Sequence, residues 1–412
     1  MDGRVSPRAP YDRRVHIALV TDYYAPTLGG VQTAVRALAE SLRAAGHEAT
    51  VFCPLAGPSP DEGVVALPVS GSFRPDGYPF AWSPRRVTAA LRDEFARRGV
   101  DVVHTHSEMF AALGGIRAAG DLGLPVVHTM HGRVDVYTAS TLPLPGVTTA
   151  LLARLHARQV SHAGLRVEGG TPYTATATAR RMWRLMLAQS RASDHVVVPS
   201  SHFARKLADQ GVRTPMTVVS NGLEEAVAAT AGTAPPRRLA DGETLRVVWV
   251  GRLSPEKRPE VLLEAAREFG PRVSVDVYGD GGARRSLERA GAPVTFHGAV
   301  THASVLEAMR SSHVLVSSSY DFDNQPMVAL EATATGLPVV YCDPDLAEVV
   351  PDGGGFLTPT PDAAGLVATI ARLLGDPGLL TSASEAQLRA GPVVAQSAEP
   401  MLEVYRSVLG SR

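Results

Sequence analysis

A carboxylate inside an apolar segment is the first sign of chemistry in this sequence. Residues 321–336 read DFDNQPMVALEATATG, and Glu331 stands eight positions after Asp323. Burying an unpartnered carboxylate costs several kcal/mol, so Glu331 needs either a partner within the protein or a ligand that carries hydroxyl groups. Asp323 has two interpretations: it caps the helix that follows, or it joins Asp321 in a D-x-D motif that binds a metal ion and a diphosphate.

The same segment predicts a short buried helix. Its apolar residues point in every direction around the helix axis, which is typical of a helix without a solvent-facing side. Pro326 fits the first turn, Asn324 or Gln325 fits the cap, and Gly336 fits the C-terminal end.

Two cations follow a predicted strand earlier in the chain. In VVWVGRLSPEKRP the strand ends at Gly251, and Arg252 and Lys257 lie on the loop that leads into the next helix. Ligands of doubly wound sheets bind at this carboxyl edge, and two such cations can hold a diphosphate. The alternative is a pair of solvated side chains. With these cations available, we do not favour the metal interpretation of Asp321 and Asp323.

Two glycine-rich loops have different interpretations. Gly29 and Gly30 separate the first strand from the first helix, where the backbone can approach an anionic ligand, although a plain tight turn explains them equally well. The second loop, YGDGGAR, has Arg284 where a dinucleotide-binding loop needs a third glycine. This loop therefore predicts a sharp turn between strand and helix, and it argues against a nicotinamide site.

Four histidines lie at the ends of two predicted strands. His104 and His106 belong to DVVHTHS, and His128 and His131 belong to VVHTMHG. Alternate residues of a strand share a face, so metal binding by the first pair is conceivable. The pattern lacks the usual additional ligands, a nearby carboxylate or cysteine, and we predict no metal site. His131, on the loop just past its strand, is best placed to face a ligand cleft.

These positions require two α/β units. Continuous Val, Ile and Leu runs alternate with helical patterns from VHIALVTD to MTVVSNG, and the alternation restarts at LRVVWVGRL. Such runs are typical of parallel strands that are buried on both faces, so the fold class is α/β with two Rossmann-like, doubly wound sheets and a cleft between them. The predicted boundaries are a disordered tail (1–14), an N-terminal domain (15–222), a linker (223–245), a C-terminal domain (246–392) and a final helix (393–412) that crosses back to the N-terminal domain.

Composition argues against several classes of protein. The 412 residues include 40 Lys or Arg and 41 Asp or Glu, a balance that gives no electrostatic footprint for nucleic acid. Cys53 and Cys342 lie in apolar runs and predict reduced thiols of a cytoplasmic protein. The tail lacks the apolar core of a signal peptide, and no run reaches the ~18 apolar residues of a membrane-spanning helix.

In order and spacing, the motifs resemble those of the retaining glycosyltransferases of family four, which have the GT-B fold. The resemblance covers nearly the whole chain after the tail. Its segments are the Gly29–Gly30 loop, HTMHG (128–132), PS (199–200), SNG (220–222), GRLSPEK (251–257), YGDG (278–281), FHG (296–298) and an E-x7-E element followed by GLP.

The resemblance implies roles for individual residues. Glu331 is similar to the second Glu of E-x7-E, which accepts hydrogen bonds from the ribose hydroxyls of a nucleotide-sugar donor. Arg252 and Lys257 are similar to the pair that neutralises the donor diphosphate, and His131 to a histidine beside the reacting sugar carbon. The implied catalytic residues are His131, Arg252, Lys257 and Asp323. The implied donor site comprises Gly29, Gly30, Arg252, Lys257, Gly298, Val300, Asn324, Gln325, Pro326, Met327, Val328 and Glu331.

The E-x7-E element departs from the family pattern at its first residue. Asp323 is one methylene shorter than the usual Glu, and the residues after it read NQP, which resembles an E-N-x-P variant within the family. In the family this loop touches the hydroxyls of the donor sugar, so the identity of that sugar stays open.

The expected function is metal-independent, retaining transfer of a hexosyl-type sugar from a nucleotide-diphosphate sugar to a hydroxyl or other nucleophilic acceptor. The resemblance implies no cofactor besides the donor, and the acceptor is a small molecule, a glycan or a lipid-linked compound. Two alternatives remain: a GT-B nucleotide-sugar 2-epimerase, and a nucleotide-sugar-binding protein without turnover.

Residues 132–190 form a long segment where such enzymes bind their acceptors. Leu151, Leu152 and Leu155, together with nearby arginines, would suit a lipid surface. Such a stripe more often packs into a core, so we do not favour peripheral membrane contact.

Overall fold

The computed structural model describes residues 13–24, 29–55, 57, 63–71, 74, 79–391 and 395–411. The predicted disordered tail lies almost wholly outside the described residues, as do residues 25–28 of the loop that precedes Gly29.

The N-terminal half contains a seven-stranded sheet in which every strand pair is parallel. Its strands are β1 (His16–Val20), β2 (Glu48–Pro54), β3 (Val64–Leu67), β4 (Val102–Thr105), β5 (Val126–Thr129), β6 (His195–Val198) and β7 (Met216–Val218). They lie in the order β3-β2-β1-β4-β5-β6-β7. The helices between and after them are α1 (Gly30–Ala44), α2 (Pro84–Arg98), α3 (Phe110–Leu122), α4 (Val134–Thr141), α5 (Pro145–His156), α6 (Ala177–Arg191), α7 (Ser201–Asp209) and α8 (Glu225–Ala228).

The C-terminal half repeats this plan with a six-stranded parallel sheet. Its strands are β8 (Leu245–Val250), β9 (Val273–Tyr278), β10 (Thr295–Gly298), β11 (Val314–Ser317), β12 (Val339–Tyr341) and β13 (Gly355–Leu357). They lie in the order β10-β9-β8-β11-β12-β13. The remaining helices are α9 (Pro259–Glu268), α10 (Arg284–Arg289), α11 (His302–Ser311), α12 (Met327–Ala334), α13 (Ala363–Gly375), α14 (Gly378–Ala390) and α15 (Glu399–Gly410).

Helices cover both faces of each sheet, so the strands are doubly wound. In β1, Ile17 and Leu19 belong to a core cluster with α1 and α15, whereas Ala18 and Val20 belong to a second cluster with α2 and α3. The alternation follows from the two-residue period of a strand, which sends successive side chains to opposite faces. It also explains why the strands read as uninterrupted apolar runs.

Each apolar run named in the sequence forms a strand, which confirms the predicted α/β class. The structure adds one strand that the sequence analysis missed. β3 has only four residues and pairs in parallel with β2 at the edge of the first sheet. The predicted linker contains the short helix α8, whose Val227 is buried.

The final helix packs on the N-terminal half of the protein. Met401, Leu402 and Val408 of α15 share a core cluster with Ile17 and Leu19 of β1. Tyr405 adds a polar contact, because its hydroxyl lies 2.7 Å from Nδ1 of His104 in β4. The chain therefore returns from the second sheet to close over the first.

Within the described residues, no single helix has the length and apolar character to cross a bilayer. Only α13 and α14 together pass such a test, and their axes are bent by 100°.

The buried contact between Tyr405 and His104 yields a stability prediction. Tyr405→Phe removes the hydroxyl and leaves an imidazole nitrogen without its partner, since both side chains are at most 1% exposed. We expect the free energy of unfolding to fall by about 1–3 kcal/mol, measured by chemical denaturation. Tyr320→Phe is the control, because Tyr320 is 45% exposed and its hydroxyl can be solvated. Equal stabilities of wild type and Tyr405→Phe would contradict the prediction.

Candidate active site

Loops from both halves of the protein meet at the carboxyl ends of the strands. Asn324, after β11, donates from Nδ2 to the backbone oxygen of His131, after β5, at 3.3 Å. Gln325 donates to the hydroxyl of Ser220 at 2.7 Å and accepts from the backbone N–H of Asn221 at 2.6 Å. The cleft between these loops is the candidate site, at the sheet edge where doubly wound folds bind ligands.

Arg252 and Lys257 both lie on the loop after β8. Arg252 donates to Glu256 at 3.1 Å, and its guanidinium covers the ring of Tyr137 of α4 at 4.7 Å. Lys257 Nζ lies 2.5 Å from Oδ1 of Asp323. The two cationic side chains are 32% and 21% exposed, so neither charge is sealed from an incoming anion.

Close packing of backbones fixes the path of this loop. A Cβ added at Gly279 would lie 1.9 Å from the oxygen of Gly251, and one added at Gly281 would lie 2.4 Å from the oxygen of Leu253. The glycines of Y-G-D-G thus allow the ends of β8 and β9 to touch. The two glycines are therefore explained by the predicted sharp turn, and the explanation does not involve a nicotinamide cofactor.

Asp321 joins the two halves of the cleft. Its carboxylate accepts from Arg133 Nη1 at 2.9 Å and from Lys206 Nζ at 2.8 Å, and both cations belong to the N-terminal half. Burial alone would lower the pKa of Arg133, but the carboxylates of Asp135 and Asp321 raise it above its usual value. Sequence analysis missed this junction, although Arg133 directly follows the HTMHG motif.

The D-x-D pair does not act as one unit in this structure. Asp321 is bound by Arg133 and Lys206, whereas Asp323 is bound by Lys257. Within the described part of the chain, no group of three or more His, Cys, Asp or Glu side chains is arranged to hold a metal ion. Metal independence itself stays a prediction.

The buried helix of the E-x7-E element begins later than predicted. α12 starts at Met327, and Pro326 is its N-cap with extended angles (φ −69°, ψ 126°) rather than part of its first turn. Neither Asn324 nor Gln325 caps the helix as predicted, because both side chains bind the N-terminal half instead. Gly336, with φ 67°, ends the helix as predicted.

Glu331, in α12, has a protein partner on a neighbouring helix. It is 6% exposed, and its Oε1 lies 2.9 Å from Nε2 of His302 at the start of α11. The hydrogen bond to the Glu331 carboxylate raises the pKa of His302 above its usual value, against the opposing effect of burial. Of the two alternatives for the buried carboxylate, this contact provides the protein partner. It occupies one of the two carboxylate oxygens.

The half-buried His131 adjoins a buried group of neutral imidazoles. Its Nε2 lies 3.0 Å from Nδ1 of His106, whose ring in turn lies 3.9 Å from the ring of His104. Burial lowers the pKa of His131 to about 3 and that of His128 to about 4. His104 is held by Tyr405 and by the hydroxyl of Thr129 at 2.6 Å. At neutral pH these rings carry no charge, so they orient partners by hydrogen bonds alone.

A protonated acid two residues after His106 was missed by the sequence analysis. Glu108 follows β4, and its Oε1 is buried without a hydrogen-bond partner among the described residues. Burial raises its pKa to about 8, and the neighbouring carboxylate of Asp22 adds to this effect. Tyr23 and Tyr137 lie close by, since each contributes to the electrostatic surroundings of this corner. The two-residue spacing from His106 was the signal available in the sequence.

Asp22 has a structural task in the same corner. Its carboxylate accepts from the hydroxyl of Ser107 at 2.6 Å and from the backbone N–H groups of Ala111 and Ala112 at 2.9 and 3.3 Å. It therefore satisfies the free N–H groups at the start of α3. Oε1 of Glu108, in contrast, has no hydrogen-bond partner among the described residues, so the two acids have different roles.

Gly29, the N-cap of α1, and Gly30, its first residue, have no steric need to be glycine. Gly30 begins α1, and a Cβ added there would lie 3.4 Å from Cγ of Met327, an ordinary contact distance. At Gly29 the nearest obstacle is the flexible end of Gln32, at 2.6 Å. Val328, in the first turn of α12, is half-buried. Close approach of a ligand to the backbone is therefore the explanation to test for both glycines.

The end of β10 supplies a flat aromatic surface. Gly298 ends this strand with φ 73° and accepts from the backbone N–H of Gly279 at 2.8 Å. His297 stacks on Tyr278 with ring centres 4.2 Å apart and planes 3° from parallel. Val300 follows on a half-buried stretch of loop. A nucleotide base is the kind of ligand that such a surface can stack against.

Comparisons with known proteins agree with this geometry. The family model described as Glycosyltransferase Family 4 matches residues 28–227, and the one described as Glycosyl transferases group 1 matches residues 244–376. The chain is 28% identical to the GDP-mannose-dependent alpha-mannosyltransferase of Mycobacterium tuberculosis over 83% of this chain and 80% of that protein. It is 31% identical to the D-inositol 3-phosphate glycosyltransferase of Acidothermus cellulolyticus, over 79% and 71% respectively. It is 28% identical to the phosphatidyl-myo-inositol mannosyltransferase of Mycolicibacterium smegmatis, over 96% and 95%.

Solved structures confirm the predicted GT-B fold. Sucrose-phosphate synthase from Thermosynechococcus elongatus superposes with a TM-score of 0.70 at 21% identity, over 97% of this chain and all of that one. Anabaena HepE in complex with UDP-glucose gives a TM-score of 0.64 at 15% identity, over 96% of this chain and 100% of that one. At these identities the likeness concerns the fold alone.

The raised pKa of Glu108 yields a pH prediction. The folded protein keeps this proton up to about pH 8, whereas a free glutamate loses it near 4.5. Folding therefore takes up a proton between these values, and the associated stability, complete below pH 4.5, is lost as the pH rises towards 8. Glu108→Gln should be more stable than wild type by on the order of 1–3 kcal/mol at pH 8.5, and close to it at pH 4.5.

Denaturant unfolding at both pH values measures this difference. Glu307→Gln is the matched control, because that carboxylate is 74% exposed and its stability effect should not change with pH. If Glu108→Gln differs from wild type by the same amount at both pH values, the acid is not held protonated in the folded protein.

Proposed function

Because the chain belongs to glycosyltransferase family 4 and is a glycosyltransferase enzyme, we propose that it catalyses metal-independent transfer of a hexosyl sugar, with retention, from a nucleotide-diphosphate sugar to a hydroxyl or other nucleophilic acceptor. The observation that carries the proposal is the ion pair of Lys257 and Asp323 at 2.5 Å. A diphosphate that binds Lys257 releases Asp323, and the freed carboxylate can then accept hydrogen bonds from the donor sugar.

The charge of the diphosphate has two cationic partners on one loop. Arg252 is braced by Glu256 and by the ring of Tyr137, and Lys257 is poised on Asp323. Charge-assisted hydrogen bonds from such cations are among the stronger polar contacts in proteins. The backbone from Asn324 to Val328 leads into α12, whose free N–H groups add a favourable field for an anion.

The nucleoside half of the donor has candidate contacts on either side of the diphosphate. We assign the ribose hydroxyls to Glu331, which keeps one oxygen beyond the contact with His302. The base is assigned to the region of Gly298 and Val300, where Tyr278 and His297 provide a flat surface. Gly29 and Gly30 would let the N-terminal half close over the phosphates.

Retention follows when attack and departure occur on the same face of the sugar. The bond between C1 and the diphosphate oxygen breaks with its electron pair on the diphosphate. The acceptor oxygen forms the new bond to C1, and its proton passes to the departing diphosphate. Arg252 and Lys257 stabilise the charge that develops on this leaving group, which is the main contribution expected of the protein.

The names of related proteins limit the classes of substrate but do not identify one substrate. The relatives transfer mannosyl and other sugars, and their names include both an inositol phosphate and phosphatidyl-inositol as acceptors. We keep the donor to the hexosyl class and leave the individual sugar open, because Asp323 is one methylene shorter than the glutamate of the family pattern. We assign a cytoplasmic location, since Cys53 and Cys342 are both buried and form no disulfide with each other.

A panel of nucleotide sugars tests the proposal most directly. The protein is incubated with each donor and with mixed acceptors, in excess chelator, and products are read by mass spectrometry and by the anomeric signals of proton NMR. Transfer with the donor's own anomeric configuration supports the proposal. Epimerised sugar without acceptor, binding without turnover, or activity that needs added magnesium or manganese would each overturn a stated part of it.

The role of Lys257 predicts a specific kinetic defect. Lys257→Met keeps most of the side-chain volume but removes the charge, so turnover should fall on the order of a hundredfold. Binding of a nucleoside diphosphate should weaken more than binding of the monophosphate, as measured by calorimetry. Arg92→Met is the control, since it also removes a cation, and this exposed arginine pairs with Asp93 rather than with a carboxylate of the cleft. An equal loss for mono- and diphosphate would mean that Lys257 does not hold the second phosphate.

The role of Glu331 predicts a coupled loss with the ribose hydroxyls. Glu331→Gln should weaken binding of the normal nucleotide roughly ten- to hundredfold, the value of a charge-assisted hydrogen bond. A nucleotide without ribose hydroxyls should bind wild type equally poorly and lose little more in the variant.

His302→Asn separates this role from a purely structural one. It breaks the contact at 2.9 Å but leaves the carboxylate in place. Calorimetric titration should show near-normal nucleotide binding in His302→Asn. Additive losses from Glu331→Gln and from the missing hydroxyls would show that Glu331 does not touch the ribose.

A further inference from the structure

The three most exposed large hydrophobic side chains in the described part of the chain lie close together. Leu144, Val147 and Leu151 are 75%, 68% and 59% exposed, and all three lie within eight residues at the start of α5. Val147 and Leu151 are four positions apart, so they share one face of this helix. Exposed hydrophobic residues that occur singly are ordinary, but a contiguous group marks an interaction surface.

The other apolar side of α5 is already used by the core. Leu152 and Leu155 pack with a cluster that includes residues of α2 and α3. The structure therefore corrects the sequence analysis, which treated Leu151, Leu152 and Leu155 as one stripe that packs inward. Leu151 belongs instead to the outward group. We call Leu144, Val147 and Leu151 the exposed α5 face.

The surroundings of the exposed α5 face carry a strong positive charge. Residues 144–191 contain seven arginines and a single acidic residue, Glu168, in a chain whose net charge is −1. Arg154, on α5 itself, and Arg184, on α6, are exposed. Arg181 reaches the backbone oxygen of Gly146, between Leu144 and Val147, at 3.0 Å. Apolar side chains flanked by cations are the pattern of a helix that lies in the interface of an anionic bilayer.

We propose that the exposed α5 face docks the protein on an anionic phospholipid bilayer. Leu144, Val147 and Leu151 enter the boundary between headgroups and acyl chains, and the arginines contact the lipid phosphates. A second copy of this chain is a poorer occupant, because a symmetric interface would bring the same positive surfaces together. The inference does not depend on which sugar or acceptor the enzyme uses.

The position of this surface gives docking a consequence for the cleft. α4 ends three residues before Leu144, and Tyr137 of α4 contacts the guanidinium of Arg252 at 4.7 Å. A bilayer bound at α5 would therefore lie beside the mouth of the cleft. An acceptor anchored in that bilayer could reach the site without leaving the membrane.

Vesicle sedimentation tests the proposal with the full chain. We expect binding to vesicles of phosphatidylcholine and phosphatidylglycerol in equal parts, weak binding to phosphatidylcholine alone, and release by high salt. The triple variant Leu144→Ser, Val147→Ser, Leu151→Ser should partition roughly tenfold less or worse. Arg154→Gln with Arg184→Gln should lose the preference for anionic vesicles.

A matched triple variant controls for the general loss of surface hydrophobicity. Leu122→Ser, Val218→Ser, Leu357→Ser also changes two leucines and one valine, which are 37%, 44% and 47% exposed elsewhere on the protein. It should bind vesicles like wild type. Both triple variants should keep the thermal midpoint and nucleoside diphosphate binding of wild type, which separates membrane docking from the proposed catalysis.

Three outcomes would overturn the proposal. If the wild-type protein stays in solution when anionic vesicles are sedimented, it has no membrane-docking surface. An α5 triple variant that binds as well as wild type shows that another surface is responsible. Dimers in lipid-free sedimentation that dissociate in the α5 variant would make a second copy the occupant of the exposed α5 face.

Discussion

The arrangement of the cleft depends on the contacts that the Asp321 carboxylate makes with Arg133 and Lys206. Arg133 is 3% exposed and is already held by both oxygens of Asp135, at 2.8 and 2.7 Å, before it reaches across to Asp321. A guanidinium held in place loses little freedom when it pairs again, whereas a buried cation left without carboxylates is costly. Asp323, two positions further along the same loop, pairs with Lys257 of the C-terminal half.

The fold was predictable because it rests on local patterns that repeat. Each continuous apolar run became a strand, since burial on both faces demands such runs. The miss at β3 has the same physical origin, because a four-residue edge strand provides too short a run to stand out. The start of α12 was misplaced for another reason: Asn324 and Gln325 carry capping side chains, but backbone groups of the other half of the protein bind them instead.

The site was predictable only where the residues lie on one loop. The shared loop of Arg252 and Lys257 was predictable because strand, loop and helix follow one another in the sequence, and the role of the two residues stays a prediction. Arg133 lies 188 residues from Asp321, and His302 lies 29 residues from Glu331, so no local pattern connects either pair. Glu331 shows the limit most clearly: burial predicted that it needs a partner, yet only the fold identifies His302 as one of them.

The neutral state of His131 restricts where a proton can go in the proposed reaction. Burial lowers its pKa to about 3, so this imidazole is a poor acceptor for the proton of an attacking hydroxyl. A terminal phosphate has a second pKa of about 6, which makes it a base roughly a thousandfold stronger. In the proposed reaction the departing diphosphate is therefore the better proton acceptor of the two. His131 can still donate a hydrogen bond to a sugar hydroxyl or accept one from it. Because the imidazole is neutral, it does not repel the positive charge that develops at C1. The proposed same-face reaction therefore needs no side chain as nucleophile or base.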